Sequence, residues 1–310
     1  MLRRSILALS AIASLAMPSV ASAATAQSFQ ISPPTANYAA DPGSSSRGII
    51  KVTNLTDTPI SLKVGRQNFA AKGEEGEIEL IDNANPLYSL APWFTIVEQT
   101  LDVPARATKE VHYSVAIPAD AEPGGRYGSI LFSSVPPKLP SGVSGATVQQ
   151  NIAAIVFERI NGKANEQLEV ASFEAEQKFS EYGPVKLLTR VRNTGNVHEK
   201  PTGQIVIKNM LGLKVGTIPL DEHFVIPGSV RRLHNQWPTS SKTAVMFGQY
   251  SAELNATYAD GKKLTASTTF TVLPWKILIG ILVALIVFTL IIWRGRKRLG
   301  RAARILAGRE

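Results

Sequence analysis

The chain has no cysteine among its 310 residues. That absence excludes a disulfide framework, a thiolate zinc site, a cysteine nucleophile and a lipidated cysteine. Charge is also scarce, at 18% of residues, while 44% are hydrophobic. Such a balance is wrong for a disordered chain. Histidine occurs only four times, as His112, His198, His223 and His234, and no two are spaced i,i+2 or i,i+4. No local metal pair exists, so metal and cofactor chemistry are not expected. The Gly-x-Ser-x-Gly nucleophile turn is missing, and Gly142-Val143-Ser144-Gly145 is one residue short of it. Gly124-Gly125-Arg126-Tyr127-Gly128 is glycine-rich but runs into a strand, not a helix N-terminus, so it does not form a phosphate cradle. With no nucleophile, metal set or phosphate loop, the sequence points away from an enzyme.

What the chain does have is charge at its ends. The formal net charge is +9, from 33 basic and 24 acidic residues. Ten of the basic residues are Arg3, Arg4, Lys276, Arg294, Arg296, Lys297, Arg298, Arg301, Arg304 and Arg309. Without them, residues 24–275 hold 23 basic and 23 acidic residues and are formally neutral. The excess therefore belongs to the termini and gives no reason to expect nucleic-acid binding. At the N-terminus, the cationic Met1–Arg4 precedes an apolar stretch to Met17, then Pro18 and the small-x-small Ala21-Ser22-Ala23. This is the form of a signal peptide over residues 1–23, cleaved between Ala23 and Ala24. At the C-terminus, Ile277–Trp293 carries no charge over 17 residues. As a helix it is roughly 25 Å long, near the lower limit for a membrane span. The spacing predicts a transmembrane helix over 275–293 and a basic tail over 294–310. Trp275 and Trp293 serve as interfacial anchors, with Arg294, Arg296, Lys297 and Arg298 on the cytoplasmic side. The expected topology is single-pass, with the ectodomain outside the cytoplasm and the tail within it.

Between the ends, short segments of period-two hydrophobicity alternate with turn signals. Ile60, Leu62 and Val64 form one set, and Val111, Tyr113, Val115 and Ile117 another. Asp41-Pro42-Gly43, Glu122-Pro123-Gly124-Gly125 and the hairpin turn at Asp260-Gly261 separate such runs. The pattern predicts an all-β fold of two tandem antiparallel immunoglobulin-like sandwiches, over 24–161 and 162–274, followed by one transmembrane α-helix. The polar Asn161-Gly162-Lys163-Ala164-Asn165 marks the boundary. Glu74, Glu75, Glu77, Glu79 and Asp82 form an acidic hairpin, which is expected to be solvated, with Ca²⁺ binding left open. Asn54-Leu55-Thr56 and Asn255-Ala256-Thr257 match glycosylation sequons. The loop Ser134–Ala146 and the segment around Trp93 are candidate binding surfaces.

Two stretches carry a family resemblance. One is Gly48-Ile49-Ile50-Lys51-Val52-Thr53-Asn54-Leu55-Thr56-Asp57, followed by Pro123-Gly124-Gly125-Arg126-Tyr127-Gly128. The other is Val191-Arg192-Asn193-Thr194-Gly195-Asn196-Val197-His198 with Pro227-Gly228-Ser229. With the terminal signals, they make the chain resemble bacterial WxL-interacting surface proteins. The resemblance implies a peptidoglycan-binding sandwich, an immunoglobulin-like domain and a membrane anchor, in a surface protein that contacts cell wall or partner proteins. No Trp-x-Leu tripeptide is present, so the resemblance implies the interacting partner of a WxL protein. A second resemblance rests on Pro92-Trp93-Phe94-Thr95-Ile96-Val97, Pro104 and the Val148–Ile160 strand. It is similar to the first domain of pilus chaperones, which implies an assembly factor binding protein clients by β-strand addition. Ligand identity and oligomeric state are left open.

Overall fold

The computed structural model describes residues 27–82, 85–135, 148–237 and 247–306, the last eleven of these as backbone only. Ala23, Ala24 and most of the Ser134–Ala146 loop lie outside the described residues. The chain is mostly β-strand, folded as β-sandwich layers, with one C-terminal apolar helix.

Ten strands precede residue 161: β1 (Phe29–Ser32), β2 (Thr35–Ala40), β3 (Ser45–Asn54), β4 (Ile60–Lys72), β5 (Glu77–Ile81), β6 (Phe94–Ile96), β7 (Thr100–Val103), β8 (Thr108–Ala116), β9 (Gly124–Ser134) and β10 (Asn151–Ile160). They form one sheet in the order β1-β3-β8-β6, and a second in the order β2-β10-β9-β4-β5 with β7 beside β4. Successive side chains on a strand point to opposite faces. Ile50 and Val52 of β3 and Val111, Tyr113 and Val115 of β8 therefore face Leu62 of β4 and Ile130 and Phe132 of β9 across one core. Each fully buried Phe or Ile there contributes roughly 1.5–3 kcal/mol.

Eight strands follow: β11 (Leu168–Ala175), β12 (Phe179–Ser180), β13 (Val185–Asn193), β14 (Thr202–Asn209), β15 (Lys214–Pro219), β16 (Val230–Trp237), β17 (Gly248–Tyr258) and β18 (Lys262–Val272). Their sheets are ordered β11-β13-β16 and β12-β18-β17-β14-β15. Leu187, Val191, Ile205, Ile207, Leu254 and Phe270 fill a second core that shares no residue with the first. The two groups of strands are called the first and second unit below.

The units are fastened in several places. Phe69, Tyr127 and Phe157 of the first unit pack with Phe224 and Ile226 of the second. The Gly125 N–H donates to Asn196 O (2.8 Å), and Asn196 Nδ2 donates to Pro123 O (3.1 Å). Arg159, at the end of β10, pairs with Glu166 and Glu199, and Lys262 joins at Glu166 (3.4 Å).

The helix, α1, runs Trp275–Leu306 and so continues beyond residue 293, through the start of the basic tail. Its stretch Trp275–Gly295 has mean hydropathy 2.7, is long and apolar enough to cross a membrane, and is nowhere buried against the rest of the chain. Trp275, Trp293 and Arg294 are exposed, while Arg296, Lys297 and Arg298 fall in the final helical stretch.

Candidate functional site

Strand β10 is paired along its whole length on one side only. It pairs antiparallel with β9 along its whole length, Asn151–Ile160. On its other side it pairs with β2, in parallel, only over Ile155–Ile160. The difference comes from β1 and β2: Phe29–Ser32 pairs with β3 in the opposite sheet, and the chain joins β10 only after Pro33-Pro34. In an antiparallel pair, consecutive residues turn their backbone groups to alternate sides. The Ser134 N–H donates to Gln150 O (2.8 Å), so residue 150 faces β9. The Ile155 N–H donates to Pro34 O (2.9 Å), so residue 155 faces β2. Asn151 and Ala153 share the direction of Ile155, at positions where no described strand pairs with them. Four backbone hydrogen-bonding groups thus face an edge about four residues long that is unpaired among the described residues.

A groove of about 640 Å³ opens beside the ends of β4, β9 and β10, lined by the polar Ser28, Thr58, Ser61 and Gln150 as well as by Pro59, Ile60, Val135 and Val148. Val135 and Val148 are exposed at its mouth. Unpaired backbone groups with a groove at the strand's end are what an added strand requires. The backbone groups bind it, and the pockets select alternate side chains. Gln150 is held to the N-terminus of β1, its Oε1 accepting from Ser28 N (2.9 Å) and Ser28 Oγ (2.5 Å), which fixes one wall of the groove.

A second cavity, of about 250 Å³, opens between the units, among Phe69, Tyr88, Tyr127, Ile226 and Pro227. His198 sits beside it, buried, with its ring 5.7 Å from Tyr127, 5.1 Å from Phe157 and 5.3 Å from Phe224. Its Nε2 lies 2.9 Å from Asn37 Oδ1, which makes it the protonated nitrogen of a neutral ring. Burial first, and the Arg159 charge second, push its pKa down to about 4. His198 thus stands as a neutral ring within an aromatic wall.

The other histidines are surface groups. His112 pairs with Glu98 (3.5 Å), His223 with Asp221 (3.0 Å) and His234 with Glu75 (2.7 Å). No three His, Asp or Glu among the described residues are grouped so as to hold a metal. The acidic hairpin departs from the solvated expectation in part. Glu77 and Glu79 are exposed, but Glu74 takes Arg190 through two hydrogen bonds and Glu75 takes Arg232 (2.7 Å). The Arg190 guanidinium holds the Glu74 carboxyl below its usual range. The hairpin is thus an arm of the first unit clasping β13 and β16 of the second.

Trp93 is not an open aromatic platform. It packs against the first core, with the Arg126 guanidinium 5.5 Å from its ring centroid. Asn54 is buried and cannot accept a glycan, whereas Asn255 is exposed. The sequence reading missed the aromatic junction. One signal was available: β10 is apolar on both faces, which implies that both are covered.

No family model and no curated relative matches the chain. Similar solved structures exist. A chaperone–tip adhesin complex of CFA/I fimbriae biogenesis is 12% identical, over 78% of this chain and 98% of that one, with a TM-score of 0.39. The YadV chaperone is 12% identical, over 79% and 100%, with a TM-score of 0.38. A Salmonella enterica SafA pilin–SafB chaperone complex is 13% identical, over 79% and 96%, with a TM-score of 0.38.

Proposed function

We propose that this chain is a non-enzymatic, membrane-tethered binding protein that takes up an extended segment of a protein partner by strand addition along the first half of β10. The observation that carries the proposal is the change in pairing at Ile155, which leaves Asn151 and Ala153 with outward-facing backbone groups that no described strand pairs. Two immunoglobulin-like sandwiches would hold this edge away from the bilayer, and Trp275–Gly295 would cross it with the basic residues inside. The wall-binding reading draws less support. Among the described residues the first unit exposes no large aromatic side chain on which a sugar ring could stack.

The test places a photo-crosslinking amino acid at Asn151 in the full-length protein in its native cells. The expected product is an adduct with a protein of discrete mass, resistant to muramidase. Ala153→Pro removes an outward N–H and blocks the edge without touching the β9 ladder. It should abolish the adduct and leave the unfolding midpoint within a few degrees. Adducts unchanged by Ala153→Pro would overturn strand addition, and muramidase-sensitive adducts would restore the wall.

A further inference from the structure

Among the described residues, the large apolar side chains that the second unit exposes gather at one end. Gly248, the first residue of β17, pairs with Val272, the last of β18. Asn209, the last of β14, pairs with Tyr250, so the β14–β15 tip lies at this end as well. β12 runs parallel to β18, with Ser180 beside Val272, and its chain continues past the strand end to Tyr182. The connections gathered here carry Phe179, Tyr182, Met210, Leu211, Leu213 and Phe247, all exposed; Phe179 and Leu211 reach 77% and 76%. The β17–β18 turn at the opposite end is Ala259-Asp260-Gly261. Exposed apolar groups gathered on one surface mark a contact.

The helix leaves from the same end. Only Leu273 and Pro274 separate β18 from Trp275, which is about 7 Å of extended chain. Lys276 Nζ lies 2.8 Å from a Glu181 carboxylate oxygen, tying the loop after β12 to the first helical turn. We infer that this end of the second unit is a bilayer-contacting surface, with Phe179, Tyr182, Met210, Leu211, Leu213 and Phe247 seated at the headgroup–acyl boundary. The inference rests on Trp275–Gly295 being a membrane span. An interfacial segment sits about 5–10 Å deep, a depth within the reach that the two-residue connection imposes.

The β14–β15 tip is built for such a setting. Backbone donors that enter a low-polarity layer must already be satisfied. Asn209 Oδ1 accepts from both Leu211 N and Leu213 N (3.0 Å each), and Asn209 O accepts from Gly212 N (2.9 Å). Gly212 adopts φ +75°, which closes the turn and sends Leu211 and Leu213 outward. Lys178 and Lys214 stand exposed on the flanks, where anionic headgroups would meet them.

Because the chain has no cysteine, single probes can be placed without background. The full-length protein is reconstituted in vesicles of zwitterionic and anionic phospholipids, with a nitroxide-labelled lipid whose label is shallow in one set and deep in the acyl chain in another, the shallow set reading Leu211 and Leu213 and the deep set reading Leu285. A polarity-sensitive fluorophore is attached at Leu211→Cys, with Leu213→Cys as an independent second site. Val97→Cys, exposed in the first unit, and Leu285→Cys, within the helix, are the references. The expected result is a blue-shifted Leu211 probe quenched by lipid roughly threefold more than the Val97 probe. Quenching at Leu285 but not at Leu211 or Leu213 overturns the inference and leaves the span intact. A blue-shifted but unquenched Leu211 probe means that a second copy covers the surface, which also overturns it. No quenching at Leu285 overturns the span, and the inference with it.

Discussion

The two units contain the same loop device at matching places and use it differently. Asn54 ends β3 and Asn193 ends β13, and both side chains are buried. Each Oδ1 accepts the backbone N–H two residues on, from Thr56 and from Gly195, at 2.8 Å. Each Nδ2 donates to the carbonyl four residues on, Thr58 or Val197, also at 2.8 Å. Each also reaches a distant segment, Val103 and Pro104 in one unit and Val225 in the other. The loops then diverge. In the first unit the turn ends in solvent with an Asp57–Arg106 ion pair. In the second, Asn196 and His198 turn toward the first unit and build the junction. The residue two after the Asn records this choice. Thr56 adds a hydroxyl that donates back to Asn54 Oδ1 (2.8 Å). At Gly195 a Cβ would lie 2.2 Å from Asn165 O, because the inter-unit segment passes against it. One motif closes a free loop where space allows a side chain, and receives the linker where it does not.

The comparison breaks if the staples differ in weight. Removing either Asn side chain orphans several buried backbone groups, each worth about 1–3 kcal/mol when left unsatisfied. Asn54→Ala and Asn193→Ala should each cost about 4 kcal/mol in urea unfolding of the detergent-solubilised chain. A loss near 1 kcal/mol for either would show that its loop is held by other contacts.

Both staples lie in stretches that the sequence singles out, yet their meaning was only half legible. The Asn-x-Thr at Asn54 matches a sequon, and only burial shows it to be a loop hub. Strands with one apolar face were easy to read. Val111, Tyr113 and Val115 alternate and are buried. Contacts between distant residues were not. Glu74 meets Arg190, 116 positions away, and no local pattern announces it. The open edge of β10 is equally hidden, because it depends on where β2 joins a strand some 120 residues later. His198 looked like any polar loop residue until Phe157 and Phe224 closed around it.

The units also differ in the charge state they need, and pH separates them. The first core buries the Glu158 carboxyl, which accepts from Ser46 Oγ (2.9 Å) and is pushed up to about 7 by burial. The folded state then holds a proton that the unfolded chain releases near pH 4.5, so stability falls as pH rises from 4.5 through 7. His198 acts in reverse. Its folded pKa of about 4 lies below the ordinary 6.5, so stability falls as pH drops from 6.5 through 4. Each limb is worth about 3 kcal/mol, and the two nearly cancel between pH 4.5 and 6.5. Glu158→Gln should expose the acid limb, with stability rising by about 1.4 kcal/mol per pH unit across that window relative to the parent. His198→Phe should expose the opposite slope. Parallel pH profiles for parent and variants would show that neither group titrates as its burial requires.

The smallest effect concerns the arm that only the first unit possesses. Glu74 receives Arg190 and Arg232, and its backbone carbonyl accepts from Arg232 N (2.8 Å), so the hairpin caps the edge of β16. The carboxyl is only half-buried, and such pairs contribute about 1 kcal/mol or less. Its folded pKa is depressed, so this contribution is present above pH 4.5 and is lost as pH falls through the folded value. Glu74→Gln should therefore lower stability by up to about 1 kcal/mol at neutral pH, and by less in molar salt. The backbone bond to Arg232 survives that change, and the arm should stay docked. A proteolytic nick at Gly73–Gly76 in the variant but not in the parent would show instead that the ion pairs, not the strand edge, hold the units together.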